Sequence, residues 1–120
     1  MNDHTESLEI AGRLRDTVQY LHDVADKVGE ARQIKEFASD RRKNLLAKHM
    51  RLVEGANISM GYREMVARQS NGFQDGMREL EAQQLDAERV LAKYEAAKVR
   101  ADAARSMLSF SKIVMDNLQG

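Results

Sequence analysis

The sequence predicts an all-α protein, an elongated antiparallel helical hairpin or bundle with a long C-terminal coiled-coil helix, assembled as an oligomer. Three observations predict it. Phe73, Leu80, Ala87, Tyr94, Ala101, Leu108 and Met115 repeat by seven, and Gly76, Gln83, Val90, Ala97, Ala104, Ser111 and Leu118 follow each by three. The 120 residues contain no proline, the residue that breaks helix interiors. Beyond residue 106 apolar side chains occupy almost every face of the helix, and such a surface has to be covered on every side.

The chain reads as one domain, 1–120, with helices at about 5–38, 40–54, 59–69 and 75–118 and a turn at about 70–74. Thr5 or Ser7 can cap the first helix, and Glu6 and Glu9 favour the positive end of its dipole. Two heptad sets compete for its buried side: Ala11, Val18 and Ala25, or Leu14, Leu21 and Val28. The pattern then slips through Ala31, Ile34, Phe37 and Ala38, which reads as a stutter or the approach of a bend. Ser39-Asp40 either caps a new helix or lies within an unbroken one. In the second helix Leu45, Leu46, Leu52 and Val53 form the apolar side, and Arg41, Asn44, Lys48 and Arg51 share another.

Gly55 to Gly61 reads as a kink or loop, after which Ser59 can cap a short helix through Tyr62, Met65 and Val66. Ser70-Asn71-Gly72 carries the strongest turn signal, because Asn and Gly accept the left-handed conformation that ends helices. The long helix that follows is roughly 42 residues, about 63 Å at 1.5 Å per residue. That is twice the roughly 30 Å width of a compact domain of this size. Ala87, Ala97, Ala101 and Ala104 in its seam predict close packing that buries little apolar area.

Composition narrows the function. Without cysteine there are neither disulfides nor thiolate metal sites. No apolar run approaches 18 residues, so no membrane span is expected. The polar, acidic N-terminus lacks the regions of a signal peptide, and predicts a cytoplasmic protein, in a bacterial host on the resemblance below. His22 and Asp26 are a surface pair rather than a metal site, and no Glu-x-x-His motif is present. Ser106, Ser109 and Ser111 have no histidine near in sequence to activate them. No catalytic residues, metal site or cofactor are expected, and the chain reads as a non-enzyme.

Charge is zero overall but uneven. Residues 39–72 hold seven basic and three acidic side chains, for +4, between an N-terminal segment at −3 and a C-terminal one at −1. Arg41, Arg42, Lys43, Lys48 and Arg51 form a candidate nucleic-acid patch that would track phosphates. The same charges equally suit packing against the acidic first helix. Lys98, Arg105 and Lys112 repeat by seven beside the seam, as charges that pair with a partner helix do. The candidate oligomer or partner interface is Met107, Leu108, Phe110, Ile113, Val114, Met115 and Leu118.

The basic Arg41-Arg42-Lys43, the segment Ser59-Met-Gly-Tyr-Arg63-Glu64-Met-Val-Ala67-Arg68 and the ending Arg105-Ser106-Met-Leu108-Ser109-Phe-Ser-Lys112 occur in one order. This layout resembles small all-helical phage and prophage proteins, of unknown activity, encoded beside single-strand annealing and single-strand-binding proteins. Ala104 stands where those proteins commonly have a tryptophan. The resemblance implies a non-catalytic accessory of phage DNA recombination or replication. Its expected partners are itself, most simply as a dimer, a recombination or single-strand-binding protein, and DNA. The competing readings are a helical inhibitor of a host nuclease or defence complex, and a coiled-coil adaptor unrelated to DNA.

Overall fold

The computed structural model describes residues 3–119, and these form five helices with no strand among them. They are α1 (Asp3–Asp23), α2 (Ala25–Glu36), α3 (Ala38–Arg51), α4 (Met60–Gln69) and α5 (Asn71–Gln119). The chain packs as two compact units. One joins the residues up to Val28 with those from Val90 onward, and the other is Gly29–Arg89.

The first three helices are nearly one. At Val24 the backbone N–H still reaches the Tyr20 carbonyl at 3.0 Å, and at Phe37 the N–H reaches Gln33 at 3.0 Å. Both junctions deform the helix without losing its i to i−4 ladder. Phe37 has no capping side chain, so Ser39-Asp40 does not start a new helix. The helix is already under way at Asp3, which puts Thr5 and Ser7 inside it rather than at its cap.

Of the two heptad sets in α1, the structure buries one. Leu14 and Leu21 are half-buried and Val28 is buried, whereas Ala11, Val18 and Ala25 face solvent. The stripe is completed by Ile10, Thr17 and Val24, and Ala31 and Ala38 continue it in the same seven-residue step. The slip expected at Ala31–Ala38 is present: Ile34 rather than Lys35 is half-buried, and the helix deforms at Phe37 (φ −96°, ψ 11°) between α2 and α3. Phe37 drew attention there as a large apolar residue, but it is exposed.

On α5 the expected seam is the buried one. Phe73, Ala87, Ala97 and Ala101 are buried, and Gly76, Leu80, Gln83, Val90, Tyr94, Ala104, Leu108 and Ser111 are half-buried. Among the described residues the buried apolar side chains are Ile10, Val28, Ala31, Ala67, Phe73, Ala87, Ala97 and Ala101, so alanine makes up most of the core. A methyl-lined seam lets helix axes approach to the short end of the usual range, about 8 Å.

The Asn71-Gly72 turn is the main correction. Both residues lie in the first turn of α5, and no non-glycine residue has positive φ among those described. Ser70 alone joins α4 to α5. Its extended backbone (ψ 144°) breaks the helix, its hydroxyl donates to the Ala67 carbonyl at 2.7 Å, and it accepts from the Phe73 N–H at 3.2 Å. Gly72 makes room rather than a turn: a Cβ there would sit 2.8 Å from the His49 ring and push it aside. At Gly76 a Cβ would sit 2.8 Å from the Leu45 methyls. These contacts, with the edge-on His49–Phe73 pair at 6.1 Å, set α3 antiparallel against the start of α5.

The alanine seam makes a specific prediction. Ala97 is 0% exposed, so Ala97→Leu forces the helices apart and costs about 1–3 kcal/mol. Ala82→Leu, on an exposed face, stays within about 0.5 kcal/mol of the wild type. Urea unfolding of the two variants measures the contrast.

Candidate nucleic-acid and partner interfaces

The basic patch lies on α3, which carries five Lys or Arg against one acid, Asp40. The helix places these side chains in two groups. Arg42 points along the seam with Ala38, Leu45 and His49, and its guanidinium donates to the Gln84 side-chain carbonyl of α5. It is a packing residue, and it leaves the candidate set for that reason. Lys43, Lys48 and Arg51 are exposed and Arg41 is half-buried. Among the described residues none of these four lies in an ion pair; all five ion pairs found join residues three or four apart on one helix. Lys98 and Arg105 also pair locally on α5, with Glu95 at 3.9 Å and Asp102 at 3.1 Å, and Lys98 lies 5.5 Å from the Tyr94 ring centre.

The Ser59–Arg68 segment has a structural explanation, residue by residue. Ser59 caps α4 by accepting from the Tyr62 N–H at 3.2 Å. Arg63 reaches back across the connection between α3 and α4. Its guanidinium donates to the carbonyls of Met50 at 3.3 Å, Val53 at 2.5 Å and Gly55 at 2.8 Å. It thus supplies donors to the Val53 and Gly55 carbonyls of the loop and a second donor to the Met50 carbonyl, which already accepts from the Val53 N–H at 3.2 Å. Gly55 sits at φ +132°, where an L side chain is strained. Glu64 and Arg68 form an exposed i, i+4 pair at 2.8 Å, and Ala67 is buried. The spacing reads as a motif because one short helix uses it to cap itself, clamp a loop and pack.

The C-terminal apolar residues divide between two faces of α5. Leu108 is half-buried on the hairpin seam, and Met115 and Leu118 extend that seam into solvent. Met107, Phe110 and Val114, together with Met115, Leu118 and Ile10 of α1, line an open apolar groove of about 510 Å³. Ile113 lies outside this lining and is exposed. The groove thus joins the end of the hairpin seam, at Met115 and Leu118, to the neighbouring Met107, Phe110 and Val114.

A second stripe on α5 escaped the sequence reading. Ala92, Val99, Ser106 and Ile113 repeat by seven, and Ala96, Ala103 and Phe110 interleave with them. All seven are exposed. The signal was present in the heptads, but the alanines of the hairpin seam matched the same template and drew the assignment.

Among the described residues no group of three or more metal-ligating side chains gathers, and no helix is long and apolar enough to cross a membrane. No protein-family model, curated protein sequence or solved structure matches the chain at a significant level.

The Arg63 clamp can be tested directly. Arg63→Ala leaves carbonyls of Met50, Val53 and Gly55 without this donor and costs about 1–3 kcal/mol. Arg63→Lys recovers little of it, because one ammonium cannot reproduce the planar fork. Thermal melts of both variants, with amide exchange of the 52–59 loop as a local readout, decide it.

Proposed function

We propose that this protein is a non-catalytic helical accessory of phage DNA recombination or replication, acting by binding DNA phosphates and protein partners, including a second copy of itself. One observation carries the DNA reading. Arg41, Lys43, Lys48 and Arg51 hold four positive charges on one short helix, and none is in an ion pair among the described residues. Charges arranged only to hold a bundle together would meet acids on the neighbouring helix. Here they remain available to a polyanion. The resemblance to proteins encoded beside annealing and single-strand-binding genes supplies the setting.

The chemistry sets the form of binding. Phosphate contacts position a protein without reading bases, so binding is insensitive to sequence. The three cations that share one face, Arg41, Lys48 and Arg51, release counterions, and the logarithm of affinity falls against the logarithm of salt with a slope of about −2.7 on duplex DNA. Exposed tyrosine is scarce on this surface, with Tyr62 the one exposed aromatic of α4, so base stacking contributes little.

The triple variant Arg41→Glu, Lys48→Glu, Arg51→Glu abolishes DNA binding and leaves the melting temperature within a few degrees of the wild type. Fluorescence anisotropy at two salt concentrations and a thermal melt test it. Undetectable wild-type binding at low salt ends the DNA reading. A strongly destabilised variant shows instead that the patch supports the fold.

A further inference from the structure

We infer that α5 pairs with α5 of a second copy through its exposed stripe, Ala92 to Ile113, as a parallel, in-register two-stranded coiled coil. The inference deepens the self-association proposed above, and is independent of the DNA reading.

The stripe has the geometry of a seam. Ala96, Ala103 and Phe110 take one core position of the heptad, and Ala92, Val99, Ser106 and Ile113 take the other. The buried seam used by the hairpin lies on another side of the helix, so both seams can be occupied at once. Val99 is 67% exposed, Phe110 68% and Ile113 59%. Three large apolar side chains in heptad register on one helix are more than scattered surface residues, which need no explanation when single. Alanines between them admit a close second backbone, while Phe110 and Ile113 anchor the end.

Charge identifies the occupant and its direction. The positions flanking the seam are acidic on one side, Glu88, Glu95 and Asp102, and basic on the other, Lys93 and Arg100. In a parallel pair each acid faces the base five residues further along the other chain. Glu88 then meets Lys93, and Glu95 meets Arg100, each twice by symmetry. Glu88, Lys93 and Arg100 are exposed and in no ion pair among the described residues, and Glu95 has only the loose, exposed contact with Lys98. An antiparallel pair centred on the same stripe leaves these matches unmade and sets Asp102 against its own counterpart. The surface is thus complementary to itself in one orientation, as a two-fold interface requires. Further along, Met107 and Val114 take the flanking positions where Lys93 and Arg100 stand, which widens the apolar contact toward the C-terminal end.

The test is light scattering and sedimentation of the full chain, with four variants. The wild type runs at twice its 13.6 kDa mass. Phe110→Asp runs as a monomer with unchanged helicity, because its side chain is exposed within one copy. Glu95→Lys weakens the dimer on the order of ten-fold, through two symmetry-related pairs, and adding Arg100→Glu restores it. The chain has no cysteine, so Ala103→Cys introduces a single thiol. In a parallel, in-register pair it meets its own counterpart within disulfide range and links under mild oxidation, whereas Lys112→Cys, exposed on the far side of the helix, does not. A wild-type monomer at its highest soluble concentration overturns the proposal. A dimer that survives Phe110→Asp, or that Ala103→Cys fails to link, also overturns it, by moving self-association to another surface or direction. DNA binding does not enter these measurements, so failure of the DNA reading appears only in its own salt titration.

Discussion

The close approach of helices across an alanine seam is the constraint on which the rest of this protein depends. Ala87, Ala97 and Ala101 are buried on α5, and Val28 and Ala31 on α2, so small side chains fill most of the buried positions. Such a seam gains from dispersion across many short contacts. It buries little apolar area per residue, since large side chains supply most of that term. Two consequences follow. Space at the interface is scarce, so a side chain at Gly72 or Gly76 would displace the His49 ring or the Leu45 methyls. The large apolar residues that a thicker core would swallow are left on the outside, among them Val99, Phe110 and Ile113.

Polar interactions do separate work at the two kinds of helix end. Where α3 stops, Arg63 gathers three carbonyls from the end of the helix and its loop. Where α4 becomes α5, the hydroxyl of Ser70 serves both helices. Along the helices the charges behave differently. Their ion pairs are local and exposed, a kind that contributes little to stability. The α3 cations and the Glu88, Lys93 and Arg100 set of α5 therefore add little to holding one copy together. That freedom is what makes both sets candidates for contacts with other molecules.

The candidate sites were legible to different degrees, for physical reasons. The face shared by Arg41, Lys48 and Arg51 could be read from the three, four, three spacing of Arg41, Asn44, Lys48 and Arg51, because a helix face follows from spacing alone. Arg42 could not be sorted from them, since only the position of Gln84 on another helix shows that it is used in packing. The Ser59–Arg68 motif looked like a functional signature. Its residues instead cap, clamp and pack, and the Arg63 contacts depend on a loop conformation that its spacing does not encode.

The sequence by itself determined the helical content, the cap at Ser59 and the hairpin seam of α5, because these rest on local preference and a seven-residue period. Tertiary structure decided the rest. It buried Leu14, Leu21 and Val28 rather than Ala11, Val18 and Ala25 on α1, the set with the larger apolar side chains, where the seven-residue period alone fits both. It also turned Asn71-Gly72 from an expected turn into the first turn of α5. The preference of Asn and Gly for left-handed backbone is small beside the contacts that a straight start of α5 allows, with His49 over Gly72 and Phe73 buried beside it. A period tells which residues share a face. Which face is buried depends on what packs against it, and that is a property of the assembled chain.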